Sequence, residues 1–146
     1  FFLVGGYEEF ATILPVLPGD IRTFILGKRS PAHAISVVGA SDVYCCTTSE
    51  DAGPRTVSES LGMGTPVISF DNCIAPDLID EKSGWVVKSG DVEEYVDAMI
   101  KAVKLKHNTP EKLKEMSMRS YESYSKNYSI ENLKKQWYDC LELENK

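Results

Sequence analysis

The sequence predicts an α/β fold, a doubly wound parallel sheet followed by a tail of helices. Three observations carry this. Short apolar runs alternate with segments of helical period, and Gly and Pro mark the junctions. Because the links between successive runs are helical, the strands run parallel with right-handed crossovers. The third is size: 146 residues at 42% apolar composition make one domain with an ordinary core.

Taken in order, Phe1 to Val4 is a strand that ends at Gly5-Gly6, and Glu8 to Leu14 is a short helix closed by Pro15 and Pro18. Ile21 to Leu26 is the next strand, ended by Gly27. Ser30 and Pro31 supply the N-cap and first position of a helix that reaches Val38. Ala40-Ser41-Asp42 introduces a strand over Val43 to Cys46, in which the adjacent Cys45 and Cys46 face opposite ways. Beyond the central stretch, Ala75 to Ile79 is a helical turn and Gly84 to Val87 a strand. Asp91 and Glu94 form a capping box for a helix whose Val92, Tyr95, Val96, Met99, Ile100 and Val103 share a face that packs on the sheet. Thr109-Pro110 starts another helix, and Ser129 caps a last one carrying Ile130, Leu133, Trp137 and Leu141. Tyr121, Tyr124 and Tyr128 belong to packing rather than to a ligand site. Residues 108–146 are thus terminal helices lying on a domain that spans 1–146.

Composition excludes several function classes. With 22 acidic and 16 basic residues the net charge is −6, which argues against nucleic-acid binding. No apolar run approaches a membrane-spanning length. Cys45, Cys46, Cys73 and Cys140 lack metal-ligand spacing and read as buried free thiols in a reducing compartment. His33 and His107 have no triad or metal partner in the pattern.

The chemistry concentrates in Ser49 to Phe70, SEDAGPRTVSESLGMGTPVISF. Gly53 suits an N-cap and Pro54 the first helical position, Leu61 closes the helix, and Gly62 and Gly64 stop it before the strand Val67 to Phe70. The first-turn N–H groups of Arg55, Thr56 and Val57 lack intrahelical partners, so with the helix dipole they form an anion site suited to a phosphate. Asp51 lies ahead of that site, and Glu59 lies about 7 Å further along the axis. A carboxylate accepts from both hydroxyls of a diol, so a nucleoside diphosphate sugar fits, with Glu59 on the ribose and Asp51 on the sugar. Lys28 and Arg29 follow a strand end, where open α/β sheets bind ligands. Plainer readings stand beside these: Glu59 as an i, i+4 partner of Arg55, Asp51 as a loop residue favouring the dipole, and Lys28 and Arg29 as solvated surface residues.

Asp51, seven residues, Glu59, and then Ser60-Leu61-Gly62-Met63-Gly64-Thr65-Pro66-Val67 resemble the signature of a known family. It is the C-terminal, donor-binding half of retaining GT-B glycosyltransferases, the glycogen-synthase-like and mannosyltransferase-like group 1, family 4. The chain departs from that pattern at three places. Asp51 stands for a usual Glu, Arg55 for an apolar residue, and Asp71-Asn72-Cys73 for a glycine pair. The resemblance implies a Rossmann-like domain with strand order 3-2-1-4-5-6. The strand before Phe1, its basic loop and a whole N-terminal domain would lie outside these 146 residues, which read as part of a longer enzyme.

The resemblance also implies roles. Asp51 is the catalytic residue that positions the donor sugar. Asp51, Gly53, Pro54, Arg55, Thr56, Val57, Glu59, Leu26 and Lys28 bind a UDP- or GDP-sugar, without a metal or cofactor. The acceptor is a carbohydrate or lipid-linked molecule held by the N-terminal domain, the product a polysaccharide, and the location cytoplasmic, at or near the inner face of the membrane. Two other readings fit the departures: a non-catalytic binding module of the same fold, and a nucleotide-sugar epimerase or hydrolase.

Overall fold

The computed structural model describes residues 2–4, 22–48, 55–72 and 74–141. The helix expected over Glu8 to Leu14 lies outside them. Among the described residues, five strands and six helices follow in the order β1 (Phe2–Val4), β2 (Phe24–Gly27), α1 (Pro31–Gly39), β3 (Tyr44–Cys46), α2 (Arg55–Gly62), β4 (Val67–Phe70), α3 (Ala75–Leu78), β5 (Gly84–Val87), α4 (Val92–Asn108), α5 (Pro110–Tyr128) and α6 (Ile130–Cys140). All ladders are parallel, as the alternation requires.

Among the described residues the strands pair as β1-β2 and β3-β4-β5. β4 is the centre of the larger sheet and separates two apolar clusters. Val67 points to the side of Cys46, Val57, Leu61, Ala75, Leu78 and Ile79. Ile68 points to the other, with Val87, Tyr95, Ala98 and Ala102. The strand alternation that puts Cys46 in the first cluster places Cys45 against the second, so the two thiols face opposite ways. Cys45, Cys46 and Cys140 are free, but Cys140 is exposed rather than buried.

The caps follow sequence chemistry. Ser30 Oγ accepts from His33 N at 3.3 Å, and Ser129 Oγ from Asn132 N at 3.3 Å. Asp91 Oδ1 accepts from Glu94 N at 2.9 Å, one half of the expected box. The other half differs: Glu94 reaches past Asp91 to accept from Lys88 N at 3.1 Å, closing the exit of β5 onto α4.

Two helix faces depart from expectation. α4 meets the sheet through Tyr95, Ala98 and Ala102, while Val92, Val96, Ile100 and Val103 are exposed. Small side chains let the helix axis approach the strands, and the larger apolar row turns outward. On α6, Ile130, Leu133, Trp137 and Leu141 are likewise exposed, so this face does not pack on the sheet. Tyr124 and Tyr128 do pack against the first cluster, whereas Tyr121 is exposed.

Candidate functional site

The Gly64-Thr65-Pro66-Val67 run joins the end of α2 to the start of β4, and each residue has a structural task. Gly64 takes φ +71, a left-handed conformation that ends the helix. Its N–H donates to Leu61 O at 2.9 Å, and Thr65 N donates to Ser60 O at 2.9 Å. The paired bonds satisfy carbonyls that the last helical turn would leave open. Thr65 Oγ1 donates to Val38 O at 2.9 Å and thereby ties in the end of α1. Pro66 is buried, and its carbonyl accepts from Tyr44 N at 2.8 Å, the first bond between β3 and β4. Val67 then enters the core. The helix reaches Gly62, one residue past the expected Leu61.

α5 lies across this junction. Ser117 Oγ donates to Gly64 O at 2.5 Å. A Cβ at Gly62 would stand 3.1 Å from the Tyr124 ring, so that glycine lets the ring come close. Ser120 Oγ donates to Ser83 O at 3.0 Å and fixes α5 to the entry of β5.

With its C-terminal end locked, α2 projects its first turn to the rim where β3 ends, the side on which parallel α/β sheets bind ligands. Val57 and Leu61 are fully buried and set the helix's rotation. Val57 therefore has only its main-chain N–H to offer a ligand. Arg55, Thr56 and Glu59 are exposed. Arg55 and Glu59 do not form the ion pair that their spacing allows; the pairs among the described residues are Lys106–Asp42 and Arg119–Glu122. The Glu59 carboxylate is free of that rival role.

Tyr44 was not anticipated. From β3 its side chain lies near Thr56, with Glu59 close enough to act on it electrostatically, and burial raises its pKa. The signal for it was its place two residues before Cys46, on the strand face that meets α2.

Of the other predicted residues, Leu26 is half-buried near the end of β2, and Lys28 and Arg29 are exposed just beyond it. His33 and His107 are exposed. Asp51, Gly53 and Pro54 lie outside the described residues. Among the described residues, no group of three or more His, Cys, Asp or Glu could hold a metal ion, and no helix is long and apolar enough to cross a membrane.

The exits of β4 and β5 complete the rim. Asp71 Oδ1 accepts from Ser89 N at 2.6 Å, and this bond is the main cause of a carboxyl pKa held below its ordinary value. Asn72 Nδ2 donates to Thr48 O at 2.7 Å, joining the exit of β4 to that of β3. Asp71 and Asn72 stand where the family pattern has glycines, and they knit the loops through side chains.

The family described as glycosyl transferases group 1 matches residues 17–122. None of the curated proteins matches the chain. Among solved structures, Anabaena HepE in complex with UDP and glucose is similar with TM-score 0.76 at 19% identity, over 97% of this chain and 40% of that one. A glycosyltransferase from Rickettsia africae gives TM-score 0.78 at 18% identity, over 95% of this chain and 38% of that one. Sucrose-phosphate synthase from Thermosynechococcus elongatus gives 0.70 at 18%, over 97% and 37%. The chain thus spans 37–40% of the length of these structures. At these identities the likeness is one of fold.

Proposed function

The chain belongs to the glycosyl transferases group 1, and from that membership we propose that it is the donor-binding part of a longer glycosyltransferase. In this reading the enzyme moves a sugar from a UDP- or GDP-sugar to an acceptor, with retention of configuration. The observation that carries it is Glu59: an exposed carboxylate with no ion-pair partner among the described residues, one turn along α2 from its start, at the family's spacing before Gly-Thr-Pro-Val. HepE, whose structure contains UDP and glucose, lends weight to UDP.

The chain's residues then divide the work. Glu59 accepts from the ribose hydroxyls, and the N–H groups of Arg55, Thr56 and Val57 receive the diphosphate. As the leaving group gains charge in the transition state, these preorganised donors stabilise it, with Arg55 and Lys28 adding positive charge and without a metal. Asp51 orients the donor sugar. Acceptor binding belongs to the preceding domain, and the enzyme is cytoplasmic, at or near the membrane's inner face. The sheet supports a domain completed by a further strand. Taking strand 1 out of the order 3-2-1-4-5-6 leaves a pair and a triplet, the pairings found here.

Calorimetric titration of the full-length protein with UDP and GDP tests the donor site. Glu59→Ala removes a charge-assisted hydrogen bond, so affinity for the preferred nucleotide should fall by about 1.5–3 kcal/mol, roughly ten- to a hundredfold. A variant that binds as well as the parent would sink the assignment. Asp51 and the absent glycine pair favour a second reading, a binding module without chemistry. Nucleotide binding with neither transfer nor hydrolysis of a donor sugar would select it.

A further inference from the structure

α4 has two apolar faces, and the sheet uses one of them. Tyr95, Ala98 and Ala102 are buried in the second cluster, while Val92, Val96, Ile100 and Val103 remain 66%, 45%, 44% and 54% exposed. Spaced four, four and three residues apart, these side chains fall within about 80° of helical arc and form a straight ridge about 16 Å long. A depression lined by Val92, Glu93, Val96 and Asp97 lies beside its N-terminal half.

The charges along this ridge are ordered. Glu93 and Asp97 border its N-terminal half, Lys101 and Lys104 its C-terminal half, all exposed and all on the same flank. None of the four forms an ion pair among the described residues, whereas Lys106, on the opposite flank, is taken by Asp42. The helix dipole favours acids in the first turn and bases in the last, but its effect fades beyond one turn. Asp97 and Lys101 are the sixth and tenth of the helix's 17 residues, so the dipole does not account for them.

We propose that this face of α4 is the interface with a second copy of the chain, the two α4 helices packing antiparallel about a two-fold axis. A flank that reads acid, acid, base, base is complementary to itself only when reversed. In that arrangement Val92 lies opposite the partner's Val103, and Val96 opposite the partner's Ile100. The same register sets Glu93 against the partner's Lys104 and Asp97 against the partner's Lys101, and the axis repeats every contact. The depression beside Val92 and Val96 gives the partner's Val103 a seat. A parallel pair would carry the charged flanks to opposite sides and leave all four charges unmet. α4 covers the face of the sheet away from α2, so the pairing leaves the rim at Glu59 open. One helix pair buries less than about 1,200 Å² in total, the size of weak and reversible complexes.

Sedimentation equilibrium of the full-length protein over a concentration series tests this. A reversible monomer–dimer equilibrium is expected, with a dissociation constant of roughly 1–100 μM that rises with salt as the ion pairs are screened. Ile100→Glu puts a carboxylate in the middle of the ridge and should abolish the dimer without lowering the melting temperature of the monomer. Glu93→Lys sets like charges against each other at both ends of the interface and should weaken dimerisation about tenfold. Glu93→Lys combined with Lys104→Glu restores opposite charges across the axis and should recover the affinity. A protein that stays monomeric overturns the proposal; if Ile100→Glu then lowers its melting temperature, the face is covered from within the longer chain. A dimer indifferent to Ile100→Glu forms elsewhere and overturns it too. Failure of the double exchange to recover what Glu93→Lys loses rules out the antiparallel register.

Discussion

Replacing Gly64 by Ala probes the junction between α2 and β4, and its cost can be built from two contributions. Gly64 has φ +71, where an L-residue is destabilised by roughly 1–2 kcal/mol. The added Cβ would also stand 3.3 Å from Ser117 O and 3.4 Å from Ser117 Oγ. Both approaches are tight enough to push α5 away and weaken the 2.5 Å bond from Ser117 Oγ to Gly64 O, a further loss of about 1 kcal/mol. The sum is about 2–3 kcal/mol, which lowers a urea midpoint by roughly 1–2 M. Gly90 is the internal control: its φ is +83, yet a Cβ there meets nothing within 4 Å, so Gly90→Ala carries the backbone contribution alone. Urea unfolding of the parent and both variants, followed by circular dichroism, reads the difference. If the two substitutions cost the same to within about 0.3 kcal/mol, the packing of Ser117 on Gly64 contributes nothing and the reasoning fails.

Two further outcomes follow from the same region. Thr65→Val keeps the shape but removes one of two donors to Val38 O, Ser41 N keeping the other at 2.9 Å, and should cost about 0.5–1 kcal/mol in the same assay. At high pH, burial raises the Cys45 and Tyr95 pKa values above their ordinary 9.0 and 10.0. A raised folded-state pKa gives stability that is complete below the unfolded value and is lost as pH climbs toward the folded one. Urea midpoints should therefore decline from about pH 9 upward, and Tyr95→Phe should flatten the decline above about pH 10; a Tyr95→Phe profile identical to the parent's would disprove the attribution.

Much of the frame was legible because it is written in local chemistry. β4 and β5 match their expected spans, as do the N-caps Ser30, Asp91 and Ser129, since a cap or a glycine stop depends on a few adjacent residues. Helix orientation was harder. The apolar row of α4 covers a wide arc, and weighting the large side chains put Val92, Val96, Ile100 and Val103 on the sheet. Ala98 and Ala102 win the contact because close approach of helix and strand requires small residues, a preference that periodicity does not encode. At the site, the helix that carries Glu59 was legible from its local pattern. Tyr44 was not, because its relevance depends on α2 lying over β3. The Asn72–Thr48 and Asp71–Ser89 bonds span 24 and 18 residues, beyond the reach of any local pattern.

The knot at Gly64-Thr65-Pro66-Val67 also bears on what a family signature reports. The interactions seen for these four residues are a helix end, the tail of α1, the first rung of the sheet and the core, which are enough to account for them. Selection to keep the domain folded is sufficient to keep the four together, whatever happens to catalysis. A protein that shed its chemistry and retained its architecture would still carry them. On the proposed reading the informative letters for activity are those that contact the donor, and Glu59, with no ion-pair partner among the described residues, is one. If the proposed roles hold, sorting relatives by the acids at positions 51 and 59 separates working transferases from inherited scaffolds, where sorting by Gly-Thr-Pro-Val merges them.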